Sequence, residues 1–159
     1  MELPKELRYA LESELTEISP KRLAQIASGL SGRYRENRPA GWAGRKSFIE
    51  SREDVFAYAA FRMPATFAAV YSALDQVREV LPGWKPQTLL DAGAGPGTVI
   101  WAADAIYPDI KAITLLERED GMIELGKRLA KHASSTSIRN ADWISADIKN
   151  IREVFSRER

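Results

Sequence analysis

Apolar residues recur at helical spacing through the first half of the chain and give way to short unbroken apolar runs in the second. Leu3, Leu7, Leu11, Leu15 and Ile18 form one stripe, and Leu23, Ile26, Ala27, Leu30 and Tyr34 form another. Ser19-Pro20 between them is a cap followed by a first-turn proline, so the pattern predicts two antiparallel helices. A third helix is predicted from Ser51-Arg52-Glu53-Asp54, a capping residue with acids in the first turn, on through Val55, Phe56, Ala59 and Ala60. Pro64 is expected to kink or break it, after which Phe67, Val70, Tyr71, Leu74, Val77 and Leu81 rebuild an apolar face. Leu81-Pro82-Gly83 should close the helix.

The second half reads differently. Thr88-Leu89-Leu90, Ala112-Ile113-Thr114-Leu115-Leu116 and Trp143-Ile144-Ser145 are buried-strand candidates. Helical patterns separate them, one through Val99, Ile100, Ala102, Ala103 and Ile106 and one through Met122, Ile123, Leu125, Leu129 and Ala130. Strand, helix, strand, helix, strand predicts a doubly wound parallel half-sheet. The fold class expected is therefore α/β, with an N-terminal α-helical domain over residues 1–86 and an incomplete Rossmann-like half-sheet over 87–159.

Between the second and third helices, Ser31 through Lys46 holds five bases, one acid and two aromatics, and reads as a mobile basic loop. Arg33, Arg35, Arg38, Arg45 and Lys46 are candidate RNA contacts, with Tyr34 or Trp42 available to stack on a base. The plainer reading is a solvated loop anchored by its aromatics, and composition alone leans that way.

Composition narrows the functional classes. The chain has 159 residues, 45% hydrophobic and 28% charged, which fits one globular unit rather than a disordered or fibrous chain. Twenty-three bases against 22 acids give a net charge of +1, so any basic surface must be local. There are no cysteines, which excludes disulfides, thiolate metal sites and a cysteine nucleophile within these residues. His132 stands alone, so no multi-histidine metal site is expected. The N-terminal segment carries acids, no apolar run approaches the ~20 residues of a membrane span, and mean hydropathy is -0.31. A soluble, cytoplasmic, unexported protein is the expectation.

The informative stretch is Leu90-Asp91-Ala92-Gly93-Ala94-Gly95-Pro96-Gly97-Thr98, placed where a strand meets a helix. Alternate glycines permit a tight turn and let a ligand lie against bare backbone. A phosphate-gripping P-loop would end in Gly-Lys-Ser/Thr, whereas here Gly97 is followed by Thr98 with no lysine. A dinucleotide fingerprint would place its third glycine at position 98 rather than 97, which makes NAD and oxidoreductase chemistry the weaker candidates. Asp91 would repel pyrophosphate but suits an ammonium group. S-adenosylmethionine (SAM) carries an ammonium and a sulfonium and no phosphate. Glu117 ends the next strand, where a carboxylate can accept from both ribose hydroxyls, and Asp147 follows the third, where it can accept the adenine amine.

Asp91 through Thr98 resembles the first motif of class I SAM-dependent methyltransferases, with Glu117 matching the second motif and Asp147 the third. That resemblance covers residues 87–159. More narrowly, Tyr58-Ala59-Ala60-Phe61-Arg62-Met63-Pro64-Ala65-Thr66-Phe67-Ala68-Ala69, the glycine loop and Leu116-Glu117-Arg118 together resemble the methyltransferase-like proteins associated with the small ribosomal subunit. That family has bacterial members and mitochondrial ones that act in mitoribosome small-subunit assembly. The resemblance implies SAM as cofactor, with Asp91, Gly93, Gly95 and Gly97 at its methionine end, Glu117 at the ribose and Asp147 at the adenine. It also implies action on, or association with, the small subunit or its ribosomal RNA, as an enzyme or as a non-catalytic assembly factor.

A class I domain has a seven-stranded sheet, and residues 87–159 leave room for three strands. The chain therefore reads as a C-terminally truncated relative, without the acceptor-side motif or the cluster-binding cysteines of many members. The outer edge of the first strand should be bare backbone, masked by dimerisation, by element swapping or by the N-terminal helices. His132 reads as a surface residue, Trp101 and Trp143 as packing residues, and Arg62 as a capping or ion-pairing side chain.

Overall fold

The computed structural model describes residues 1–36 and 49–156. Helices α1 (Lys5–Glu14), α2 (Pro20–Glu36) and α3 (Arg52–Val80) precede the sheet. At the start of α2 the Ser19 hydroxyl accepts the Arg22 N–H. Helix α3 opens on a reciprocal cap, in which Ser51 Oγ accepts the Asp54 N–H and Asp54 Oδ2 accepts the Glu50 N–H.

Two helical expectations are corrected. Of the kink or break expected at Pro64 the break does not occur, since Pro64 lies inside the 29 residues of α3. Met63 and Phe67, next to that proline and one turn beyond it, are almost fully buried, and this packing holds the helix through the missing backbone bond. Helix α2 extends to Glu36, so Ser31 through Glu36, Arg33 and Arg35 included, are helical rather than loop. Arginine is a good helix former, and basic composition does not end a helix. The side chains of Arg33, Tyr34 and Arg35, and positions Arg38, Trp42, Arg45 and Lys46, lie outside the described residues.

The sheet region alternates as β1 (Thr88–Ala92), α4 (Thr98–Ile106), β2 (Ala112–Glu117), α5 (Asp120–Ala130), α6 (Thr136–Arg139) and β3 (Asp142–Ser145). A 3-10 turn (Ile148–Asn150) and α7 (Ile151–Ser156) follow. The three strands are parallel in the order β1-β2-β3, with Asp91 beside Leu115 and Leu115 beside Trp143. This is an α/β half of a Rossmann-like fold preceded by a helical region.

Register assigns the faces, because paired residues of parallel strands point the same way. Leu89, Asp91, Ile113, Leu115 and Trp143 share the face packed by α4 and α5. On the opposite face Leu90 is 48% exposed, Thr88, Ala92 and Ala112 are exposed, Thr114 and Ile144 are half-buried, and Leu116 is buried. One apolar core joins Leu7, Leu11, Leu23, Met63 and Phe67 to Ile100, Leu115, Leu125 and Leu129.

Helix α1 lies on α5 and α2 lies on α3. Arg128 Nε donates to both carboxylate oxygens of Glu14 at 2.9 Å, and Glu6 accepts from the Ser134 N–H and hydroxyl. Among the described residues β1 pairs with β2 alone, so its other edge has no strand partner. No described helix is long and apolar enough to cross a membrane.

Candidate functional site

The carboxyl ends of the strands converge on the glycine loop. Gly93, Gly95 and Gly97 have φ of 84°, 55° and 79°, and among the described residues only glycine has positive φ. The alternate spacing is thus a backbone requirement, since an L side chain at any of the three would be strained. The loop is pinned to the end of β2. Gly93 and Ala94 N–H both donate to Leu116 O, at 2.8 and 3.0 Å, and Gly97 N–H donates to Ala94 O.

Glu117 completes the attachment. Its Oε2 accepts the Gly95 N–H at 2.7 Å, while Oε1 accepts the N–H groups of Arg118 and Glu119 at 2.8 and 3.0 Å. Carboxylates hold about two acceptor positions per oxygen, so Oε2 retains one for an incoming hydroxyl. Glu117 is otherwise buried.

Asp91 is in a different condition. Its Oδ2 is buried without a hydrogen-bond partner. Burial pushes its carboxyl up to about 6, and the neighbouring Glu117 charge pushes the same way. A desolvated, unsatisfied carboxyl costs stability and is characteristic of sites that receive a cation or a proton.

Asp147 stands at the rim. Its Oδ1 accepts the Lys149 N–H at 2.9 Å and so caps the 3-10 turn. Its Oδ2 lies 3.7 Å from Arg118, whose Nε donates to Glu119. The Lys149 N–H is the main reason the Asp147 carboxyl sits below the usual carboxylate range, with Lys149 and Arg118 charges adding to it. Arg118 thus links the ends of β2 and β3, a connection that sequence spacing did not single out.

Two aromatics shape the loop from either side. The Tyr58 ring of α3 lies 3.9 Å from where a Cβ on Gly95 would be. The Trp143 indole fills the space against Gly97 and Gly126, where an added Cβ would meet it at 3.1 and 2.2 Å. Trp143 is therefore a packing residue, as is Trp101, which is buried. His132 and Arg62 are exposed. Tyr58 escaped the sequence reading because its helical spacing looks like core, and only the close approach of α3 to Gly95 distinguishes it. No cluster of three metal-ligating side chains occurs among the described residues.

Fold and site together define a Rossmann-like α/β protein whose glycine loop and strand-end acids face one edge of the sheet. The family described as mitochondrial small ribosomal subunit Rsm22 matches residues 52–158, and the chain belongs to that family. The human ribosome assembly protein METTL17, mitochondrial, is 36% identical over 80 residues. That match takes in 50% of this chain, which spans only 18% of the relative's length. Both descriptions are mitochondrial, and the expectation of a cytoplasmic protein is withdrawn. Absent cysteines and balanced charge suit any reducing compartment, so they carried no address.

Proposed function

We propose that this chain holds the SAM-binding part of a methyltransferase-like factor that acts on or with small-subunit ribosomal RNA. The observation that carries the reading is Asp91, a buried carboxyl with an unpartnered oxygen at the foot of a glycine loop. An α-ammonium group would neutralise it, and the bare backbone of Gly93, Gly95 and Gly97 admits the methionine end beside it. The remaining acceptor position on Glu117 suits a ribose hydroxyl. Asp147 at the rim suits the adenine amine. Two carboxyls under one loop disfavour pyrophosphate, which argues against a dinucleotide. SAM, when bound, supplies an electrophilic methyl group on sulfur, and the chain's own part is to orient it.

Isothermal titration tests this. SAM and S-adenosylhomocysteine should bind saturably and NAD should not. Asp91→Asn should weaken SAM binding by about tenfold or more, in line with losing a charge-assisted hydrogen bond. Equal affinity of the wild type and the Asp91→Asn variant would sink the assignment. The relative's designation as an assembly protein favours a second reading, in which the ligand is structural and no methyl is transferred. Transfer of label from SAM to small-subunit RNA, lost in Asp91→Asn, separates the two.

A further inference from the structure

At the other end of β1 from the glycine loop, a second surface has the makings of a binding site. Val80, the last residue of α3, and Leu81 and Trp84 of the linker to β1 are exposed, Trp84 at 49%, and Pro82 and Pro86 stiffen that linker. Large apolar side chains exposed side by side are uncommon on a surface with nothing to bind. The Trp84 ring meets Tyr107 edge to face with centroids 5.4 Å apart. Tyr107 is buried, and its hydroxyl donates to Leu74 O at 3.4 Å, so the indole rests on a fixed support.

Trp84, Tyr107, Arg78 and Lys85 line a cavity of about 160 Å³. That is room on the scale of one planar ring, well below the several hundred cubic ångströms of a typical small-molecule site. Two cations stand at its rim. Arg78 pairs with Asp75, and its guanidinium has further donors. Lys85 is exposed and has no ion pair among the described residues. Asp109 also lines the cavity and limits how much negative charge it tolerates, which favours a single phosphate over a run of them. A ring-sized slot beside a supported indole, with cations for a phosphate, matches single-stranded nucleic acid. A peptide side chain would use the apolar rim but leave the cations unanswered.

We propose that Trp84 is a stacking platform for one unpaired RNA base, with Lys85 and Arg78 taking the adjoining phosphate. This surface is independent of the SAM reading. Five-residue β1 separates it from the glycine loop, so it grips RNA away from the cofactor end and tethers the strand rather than presenting a base for reaction.

The test is fluorescence anisotropy of labelled oligouridylate and oligoadenylate, each about 12 nucleotides, titrated with the full chain at several salt concentrations. Trp84→Ala should weaken binding by about tenfold, as loss of one stacked base does, while Trp84→Phe should keep most of the affinity. Lys85→Gln should reduce the salt slope by about one. Lys85 and Trp84 are exposed, so circular dichroism should report unchanged folding in all three variants. Wild-type affinity in Trp84→Ala, or a chain that binds neither oligonucleotide, would overturn the proposal. So would unchanged oligonucleotide binding accompanied by lost binding to RNA-stripped small-subunit proteins, which would make the surface a protein contact.

Discussion

The carboxyl of Asp91 titrates at about 6 in the folded chain against 3.8 for an ordinary aspartate, because folding strips its water and sets it near Glu117. A carboxyl with a raised folded value binds its proton more tightly folded than unfolded. Its favourable contribution is complete below 3.8 and is lost as pH rises through about 6. Two pK units correspond to ~3 kcal/mol, a large share of a domain's stability. Asp91→Asn should therefore be more stable than the wild type by up to ~3 kcal/mol at pH 7.5 and nearly equal to it at pH 3.5. Urea unfolding at the two pH values measures this, and a difference that ignores pH would show that Asp91 is solvated. Asp91 was legible in the sequence because it opens an alternate-glycine turn. Its unsatisfied oxygen was not, because that depends on which groups the folded neighbourhood fails to supply. The same holds for Glu117: its position at a strand end is a spacing fact, but its bond to Gly95 crosses 22 residues and exists only once the loop has folded back.

Among the elements, α3 exposes the limits of local rules most clearly. Pro64 removes one backbone bond and is disfavoured by ~3 kcal/mol relative to alanine inside a helix. The burial of Met63 and Phe67 outweighs that cost. Pro64 itself is exposed, so Pro64→Ala should restore the bond without disturbing the core and stabilise the chain by ~1–2 kcal/mol. A thermal melt that moves downward instead would mean the helix bends at Pro64 to fit its neighbours. The strands were legible almost to their ends, because a buried parallel strand is a short apolar run whatever surrounds it. Thr88, Ala112 and Ser145 were placed as the structure has them, and the additions are Asp91, Ala92, Glu117 and Asp142. The far end of α2 was misjudged because charge pattern reports solvent exposure, not backbone conformation.

At the scale of the molecule, one sheet face is covered by helices and the other is largely open. Leu90 sits on that open face of β1, itself an edge strand among the described residues, a combination that invites association. Analytical ultracentrifugation of this chain should show mass rising with concentration. Leu90→Lys should hold it closer to the monomer without changing its circular dichroism. A wild type that stays monomeric at high concentration would refute this. That the three strands run parallel followed from the sequence, since alternation of strand and helix makes each connection a crossover. What covers the sheet did not, because α1 and α2 chose α3 and α5 through specific pairs such as Glu14 with Arg128, which no periodicity announces.

Those pairs also set a schedule. Glu14 and Arg128 are 114 positions apart, and Glu6 and Ser134 are 128 apart. On a ribosome adding ~5–20 residues per second, α1 emerges many seconds before the helix it docks on exists. Through that interval Leu7 and Leu11 have only α3 to pack against, and the α5 side of their core is still missing. Helix α1 therefore reaches its seat on α5 only after more than a hundred further residues have been made.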